Sequence, residues 1–111
     1  MKLVYTPQAI EDIAAIKSYI ELSLRNKSAA KNIAEAILQS CARLKDFPRL
    51  GFSVRERYGF ESEDRILLCE NYVVLYSLRQ DRVAIDRVAI GRVIDARCDY
   101  ARILWGKEEP K

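Results

Sequence analysis

Apolar residues recur with the period of a helix in two stretches, residues 10–24 and 33–44, which predicts two amphipathic helices. The two apolar stripes are Ile10, Ile13, Ile16, Ile20 and Leu24, followed by Ile33, Ile37, Leu38, Cys41 and Leu44. Thr6 is suited to cap the first helix, with Pro7 at its first position, and Ser28 is expected to cap the second. Residues 25–27 interrupt the pattern, and Phe47-Pro48 ends the second helix because the residue before a proline avoids the helical conformation. The two helices are therefore predicted to form a helical hairpin.

The rest of the chain has the β-branched and aromatic content of strands. The predicted strands are residues 2–5, 65–69, 72–78 and 83–94. Residues 49–64 have no regular period, so a loop or an irregular strand is expected there, and residues 100–105 are predicted to form a short helix or a tail. This order predicts an α+β fold, β-α-α-β-β-β, in which the helical hairpin packs on a small antiparallel sheet.

Length and composition narrow the class of protein. A chain of 111 residues is expected to form a single domain over residues 1–111, and its 50% hydrophobic and 32% charged residues exclude a disordered or collagen-like chain. No segment approaches ~18 uninterrupted apolar residues, and the first residues lack an apolar signal region. We therefore expect a cytoplasmic protein that does not bind a membrane.

A five-residue sequence, Asp-Arg-Val-Ala-Ile, occurs twice in tandem at residues 81–85 and 86–90. Side chains alternate between the two faces of a strand, so a shift of five residues places Ile85 on the face opposite to Ile90. One copy is therefore expected to be extruded as a longer hairpin loop or absorbed through a β-bulge, with the second copy in register. A lengthened hairpin can also favour exchange of strands between two chains, which would give a homodimer.

The chain has no histidine, which excludes Ser–His and Cys–His nucleophile pairs and histidine-based metal sites. The three cysteines, Cys41, Cys69 and Cys98, are widely spaced and form no C-x-x-C motif. We therefore expect reduced, mostly buried thiols, no metal and no cofactor.

The net charge is only +3, but ten of the twelve arginines lie from Arg49 onward. A guanidinium presents a planar set of donors that suits carboxylates and phosphates, so this half of the chain is a candidate recognition surface. The same half also holds eleven acidic residues, so arginines that are merely paired and solvated are the alternative.

Five segments share their order and spacing with a known family of toxins. They are residues 5–20, beginning Tyr-Thr-Pro-Gln-Ala-Ile-Glu-Asp-Ile, and residues 44–51, 65–67, 72–76 and 92–100. Together they span nearly the whole chain, which resembles the RelE/ParE toxin superfamily of type II toxin–antitoxin systems. Deleting one copy of the pentapeptide restores the spacing of that family. The resemblance implies growth inhibition, a role in plasmid stabilization, and a cognate antitoxin that buries the basic and apolar surface of the toxin, often with an amphipathic helix and an added strand.

The superfamily contains two mechanisms, and the strand at residues 72–76 favours one of them. RelE-like members cut mRNA on the ribosome and typically carry a catalytic arginine where this chain has Val73. A valine cannot stabilise the negative charge that develops on a phosphate. ParE-like members bind DNA gyrase, tend to have valine there and need no nucleophile of their own. The resemblance therefore implies an inhibitor of DNA gyrase, with a ribosome-dependent mRNA endonuclease as the alternative and a non-toxic paralogue or binding module as a second alternative.

Six residues of the second half are candidates for contact with a partner: Arg65, Arg92, Arg97, Tyr100, Arg102 and Trp105. If the protein is a nuclease, the catalytic candidates are Arg65, Arg97 and Tyr100 with a glutamate as base, either Glu56 or Glu63.

These candidates also have structural interpretations. Arg65 can pair with an acidic residue, namely Asp64, Asp95 or Asp99. Asp99 can bond nearby backbone or Arg92, and Trp105 can anchor the tail on the core. Tyr72 and Tyr76 share one face of a strand and are expected to pack in the core or against a helix, with stacking on bases as the alternative.

Overall fold

The computed structural model describes residues 2–80 and 85–106. The strands within these ranges are β1 (Lys2–Tyr5), β2 (Phe52–Ser53), β3 (Asp64–Cys69), β4 (Tyr72–Gln80) and β5 (Ile85–Asp95). The helices are α1 (Pro7–Ser18), α2 (Lys27–Arg43), α3 (Val54–Tyr58) and α4 (Tyr100–Trp105), and a π-helical turn (Tyr19–Ser23) follows α1.

The five strands form one mixed sheet in the order β1-β5-β4-β3-β2. Strands β2 to β5 are antiparallel neighbours, whereas β1 pairs in parallel with β5, from Lys2 beside Arg87 to Tyr5 beside Ile90. The predicted α+β fold and its order of elements are confirmed. The sheet is larger than the sequence suggested, because the N-terminal strand β1 joins it in parallel at one edge and the short strand β2 joins it at the other.

Helices α1 and α2 form the predicted hairpin. Thr6 caps α1, since its Oγ1 accepts a hydrogen bond from the amide of Ala9 at 3.1 Å. The prediction of Ser28 as the cap of α2 is wrong: Asn26 Oδ1 accepts a bond from the amide of Ala29 at 2.9 Å. The left-handed conformation of Arg25, with φ of 51°, turns the chain so that α2 already begins at Lys27.

The main core lies between the helical hairpin and one face of the sheet. Its buried members are Ala9, Ile37, Cys41, Leu44, Leu67, Cys69, Val74, Tyr76, Val88, Ile90 and Val93. Parts of both predicted helical stripes stay outside this core: Ile10 is 57% exposed, Leu24 60% and Leu38 45%. The apolar stripes are thus wider than the surface that the sheet can cover.

The opposite face of the sheet carries a second core of Val54, Tyr58, Ile66 and Val73, which α3 and α4 cover. The prediction of a loop or irregular strand over residues 49–64 overlooked α3. Ser53 caps this helix by accepting a bond from the amide of Glu56 at 3.3 Å, and Gly59 ends it with φ of 76°. A helix of five residues is too short to show a helical period in the sequence.

The second copy of the pentapeptide is in register, as predicted. Val88 pairs with Leu78 and Ile90 pairs with Tyr76, and both Val88 and Ile90 are fully buried. The register then shifts and passes over Asp86, which is the expected absorption of the repeat through a bulge. Residues 81–84, which include most of the first copy, lie outside the described residues, and so does the exchange of strands expected at this hairpin.

A second bulge in β5, at Gly91, keeps apolar side chains on the helical side of the sheet. Ile90 and Val93 are three residues apart, so a regular strand would turn them to opposite faces. The pairing with β4 passes over Gly91, and both side chains enter the main core. Thr6 Oγ1 donates to the carbonyl of Gly91 at 2.9 Å, which ties the start of α1 to this bulge.

Candidate functional site

Arg92 joins the helical hairpin to the sheet. Its Nε donates to Asp12 Oδ2 at 2.7 Å and its Nη2 to Asp12 Oδ1 at 3.2 Å, while the amide of Val93 also donates to Oδ2 at 2.9 Å. Burial opposes ionisation of Asp12, but the hydrogen bonds from Arg92 and Val93 outweigh it and lower the pKa of the carboxyl. This guanidinium is therefore engaged within the fold, by Asp12 and not by Asp99.

Arg65 is held by main-chain carbonyl groups. Its Nη2 donates to the carbonyl of Gly51 at 2.6 Å and to that of Arg49 at 3.3 Å. These partners replace the carboxylate that the sequence suggested, from Asp64, Asp95 or Asp99. The Nε of Arg65 is buried without a hydrogen-bond partner among the described residues.

The loop that receives Arg65 is fixed by Tyr76. The hydroxyl of this buried tyrosine donates to the carbonyl of Pro48 at 2.8 Å and accepts a bond from the amide of Gly51 at 3.0 Å. A Cβ at Gly51 would lie 2.8 Å from the carbonyl carbon of Ile66, so a larger residue has no room there. Tyr76 thus lies in the core, as the sequence predicted, and also positions the carbonyls that bind Arg65.

Arg65 and Glu56 line the same cleft, whose volume is about 330 Å³. The other lining residues are Arg49, Ser53, Arg55, Ser62, Glu63, Asp64 and Leu78. Three arginines face three acidic residues, so the cleft has no net formal charge, and Arg55 already lies 3.7 Å from Glu63. Arg97 and Tyr100 are not among the lining residues. The residues considered for a nuclease are therefore divided between this cleft and the C-terminal part of the chain.

Tyr100 and Trp105 belong to an aromatic cluster with Tyr58 and Phe60 on the second face of the sheet. The hydroxyl oxygens of Tyr58 and Tyr100 are 2.6 Å apart. The Trp105 ring lies 6.0 Å from that of Tyr58 and 5.7 Å from that of Phe60, measured between centroids. Trp105 anchors the tail on the core, which agrees with its structural interpretation.

Val73 lies in the second core, beneath this cluster. It is 1% exposed and belongs to the same group of buried side chains as Val54 and Ile66. The position at which RelE-like members typically carry a catalytic arginine is therefore filled by an apolar side chain in apolar surroundings. A charged group placed here without a partner would pay a large desolvation cost.

Arg102 lies on α4, next to the residue that caps this helix. Asp99 Oδ1 accepts a bond from the amide of Arg102 at 3.3 Å, and the Nε of Arg102 is 3.8 Å from Asp99 Oδ2. Both side chains are more than half exposed, so an ion pair of this kind contributes at most about 1 kcal/mol. The bond from Asp99 to nearby backbone is the local role expected from the sequence.

Tyr72 and Arg97 both lie beside Asp95 at the end of the sheet, and Tyr19 at the end of α1 acts on both electrostatically. These three residues are called here the terminal patch. Asp95 accepts bonds from Arg97 Nε at 3.0 Å and from Nη2 at 2.6 Å, which raises the pKa of Arg97 and lowers that of Asp95. The pKa of Tyr72 is raised, chiefly by burial and then by the Asp95 carboxylate. Arg97 opposes this shift, and Tyr19 adds to it.

Sequence reasoning selected Arg97 but missed Tyr19 and treated Tyr72 as a core residue. Tyr72 does pack against the main core, yet it remains partly exposed. The only sequence signal for Tyr19 was its position outside the apolar stripe, near the end of the first predicted helix. Its neighbourhood with Tyr72 depends on the docking of α1 along β5.

An apolar groove runs beside α1. It has a volume of about 290 Å³, and its lining residues are Tyr5, Ile10, Ile13, Ala14, Lys17 and Leu38. Two of these side chains, Ile10 and Leu38, come from the uncovered parts of the two helical stripes. The groove is next to the edge strand β1, so it offers both apolar surface and unpaired backbone.

Cys41 and Cys69 are buried free thiols and Cys98 is an exposed one, so two of the three cysteines are buried as expected. Within residues 2–80 and 85–106 there is no group of three metal-binding side chains. No helix in the described part of the chain is both long and apolar enough to cross a membrane.

Comparison with known proteins identifies a matching family. A family model described as the ParE toxin of type II toxin–antitoxin system, parDE, matches residues 3–95. The fold is similar to that of a chain from the chromosomal ParDE TA system of P. aeruginosa, with a TM-score of 0.69 and 18% sequence identity. The alignment covers 87% of the present chain and 97% of the other. No curated protein matches the sequence.

Proposed function

Since the chain belongs to the ParE toxin family of type II toxin–antitoxin systems, we propose that it inhibits DNA gyrase in the cytoplasm and is neutralised by a cognate antitoxin. An inhibitor of this kind acts by binding a larger enzyme and stabilising its cleaved DNA complex. It needs no nucleophile and no proton relay of its own, in keeping with a chain that has no histidine.

One observation favours inhibition of gyrase over cleavage of mRNA. Val73 is buried among apolar side chains at the position where a ribosome-dependent nuclease would present an arginine. Electrostatic stabilisation of the transition state usually makes the largest single contribution to catalysis, and here that group is absent. The separation of Arg97 and Tyr100 from the cleft with Arg65 and Glu56 supports the same choice.

A supercoiling assay with purified gyrase and relaxed plasmid tests the proposal. We expect the toxin to inhibit supercoiling and to accumulate linear DNA after protein is removed with detergent and protease. Addition of the cognate antitoxin in molar excess should restore supercoiling and serves as the control for specific inhibition. Normal supercoiling at micromolar toxin would contradict the proposal.

The apolar groove beside α1 supports the expected antitoxin. Its lining is almost wholly aliphatic and aromatic, with one lysine, Lys17, among six residues. An amphipathic helix laid in such a groove buries its apolar face, and an acidic residue beside it can pair with Lys17. Leu38→Glu places a charge in the groove and should weaken antitoxin binding while leaving inhibition of gyrase intact.

A nuclease remains the second candidate because Glu56 and Arg65 share one cleft. A carboxylate base and a guanidinium are two of the groups that cleavage of RNA at the 2′-hydroxyl requires. Primer extension on translated mRNA tests this alternative. Breaks that appear with the natural toxin and disappear with both Glu56→Gln and Arg65→Ala would support it, and absence of breaks would eliminate it.

A further inference from the structure

The terminal patch lies where β4 begins and β5 ends. Tyr72, the first residue of β4, pairs with Asp95, the last residue of β5. Helix α1 crosses β5 toward the C-terminal end of the strand, since Thr6 bonds Gly91 whereas Asp12, further along the helix, bonds Arg92 and Val93. Seven further residues of helix carry Tyr19 about 10 Å beyond Asp12, toward the same end of the sheet. The docking of α1 therefore brings Tyr19 toward Tyr72 and Arg97, in agreement with its electrostatic effect on both.

Arg97 is held in one orientation while most of its side chain faces solvent. Asp95 Oδ1 accepts bonds from its main-chain amide at 2.9 Å and from Nε at 3.0 Å, and Oδ2 accepts from Nη2 at 2.6 Å. The side chain is nevertheless 76% exposed, which leaves Nη1 for another acceptor. A guanidinium that is already oriented loses less conformational entropy when it binds a partner.

The composition of the patch is that of a protein interface. Tyrosine and arginine are among the residues that most often dominate binding energy, and Tyr19 is 59% exposed beside Leu22, which is 74% exposed. Asp95 compensates the charge of Arg97, so the patch has little net charge. Binding to a nucleic-acid backbone depends on net positive charge, so these features favour a protein partner.

We propose that Tyr19, Tyr72 and Arg97 form the surface by which the toxin docks on its protein target. The partner surface would supply a carboxylate to Arg97 and apolar groups that cover the two phenol rings. This inference rests on the proposed function, in which that target is DNA gyrase. It assigns the antitoxin and the target to different surfaces, the apolar groove beside α1 and the terminal patch.

Paired variants and equilibrium binding to purified gyrase test the proposal. Tyr19→Ala and Arg97→Ala should each weaken gyrase binding by about tenfold or more. Tyr19→Phe should bind like the natural toxin because it keeps the ring, whereas Arg97→Lys should be weakened because an ammonium cannot make the paired bonds to Asp95. Supercoiling inhibition should follow the same order.

Two matched controls lie elsewhere on the surface. Arg79→Ala removes an exposed arginine from the same strand as Tyr72, about 23 Å along β4. Phe47→Ala removes an aromatic ring that is 62% exposed, close to the exposure of Tyr19. Both should leave gyrase binding unchanged. Unchanged thermal midpoints and antitoxin affinity for Tyr19→Ala and Arg97→Ala would exclude misfolding as the cause of their loss.

The outcomes separate this inference from the function on which it rests. If the natural toxin inhibits gyrase and Tyr19→Ala and Arg97→Ala bind as tightly as it does, the docking surface is overturned while the function stands. If the natural toxin neither binds nor inhibits gyrase, both are overturned. If the alanine variants lose antitoxin affinity but keep gyrase affinity, the patch belongs to the antitoxin interface and the inference is wrong.

Discussion

The two faces of the sheet are covered in different ways. On one face, α1 and α2 span 12 and 17 residues and pack over a core that is mainly aliphatic. On the other face, α3 and α4 have only 5 and 6 residues, and aromatic rings hold them in place. Isolated helices as short as these are unstable in water, so tertiary contacts must supply nearly all of their stability. The first face should therefore unfold with the whole domain, whereas the second can release α4 locally.

The largest expected effect is on the helical face. Ile37→Ala removes a fully buried side chain from α2 and should lower the free energy of unfolding by about 2–5 kcal/mol. Denaturant titration measures it, with Leu38→Ala as the matched control because this neighbour is 45% exposed. Equal losses in the two variants would show that the main core is not where the fold is most tightly packed.

On the second face, Trp105→Ala should cost about 1–3 kcal/mol, since it removes ring contacts with Tyr58 and Phe60. We also expect the amides of α4 to exchange with solvent much faster than those of α2 in this variant. Ile103→Ala, on the same helix but 53% exposed, should leave that exchange unchanged. Uniform acceleration of exchange over the whole chain would mean that the two faces unfold together.

The bonds from Arg92 and Val93 to Asp12, which join α1 to the sheet, predict that the free energy of unfolding depends on pH. The pKa of Asp12 is lower in the folded chain than its unfolded value of about 3.9, so its contribution is fully present above that value and is lost as the pH falls through the folded pKa. Asp12→Asn should lose about 1–2 kcal/mol at neutral pH and show a flatter loss of stability below pH ~4. Asp46→Asn, at an exposed loop position, should retain the acid dependence of the natural chain. If the stability of Asp12→Asn falls at low pH as steeply as that of the natural chain, the interaction of Asp12 with Arg92 does not cause the dependence on pH.

The smallest perturbation is chemical labelling, which leaves stability unchanged and reports on both regions. Cys98 is exposed before α4, whereas Cys41 on α2 and Cys69 on β3 are buried in the main core, and burial raises the pKa of Cys41 to about 11. A thiol reagent at pH 8 should modify one cysteine per folded chain and three in denaturant. Cys98→Ser should abolish the fast reaction. Rapid labelling of a second thiol would reveal local opening of α2.

Much of the fold was predictable because its signals are local. The stripes of α1 and α2 and the β-branched runs of β3 and β4 repeat every few residues and depend on immediate neighbours. The cap of α2 at Asn26 and the helix α3 were missed because neither produces a repeating pattern in the sequence. A left-handed Arg25 decides where α2 begins, and a five-residue helix has no period to detect.

The candidate site was less predictable because its contacts connect residues distant in sequence. Arg65, Arg92 and Arg97 look alike in the sequence, yet one binds main-chain carbonyls, one binds α1, and one binds Asp95 two residues away and stays exposed. Only the pairing of Arg97 with Asp95 could be predicted from a local pattern. Which guanidinium faces outward depends on the elements packed beside it.

The sequence by itself determined the two long helices, the longer strands, their order, the resemblance to the family and the register of the second pentapeptide copy, since each follows from spacing along the chain. The tertiary structure alone decided the parallel pairing of β1, the burial of Val73 beneath an aromatic cluster, and the orientation of the exposed Arg97 by Asp95 beside Tyr72. Those features arise when α1 docks along β5 and α4 folds over the opposite face. Contacts between distant segments depend on the geometry of packing, for which periodicity along a chain carries no signal.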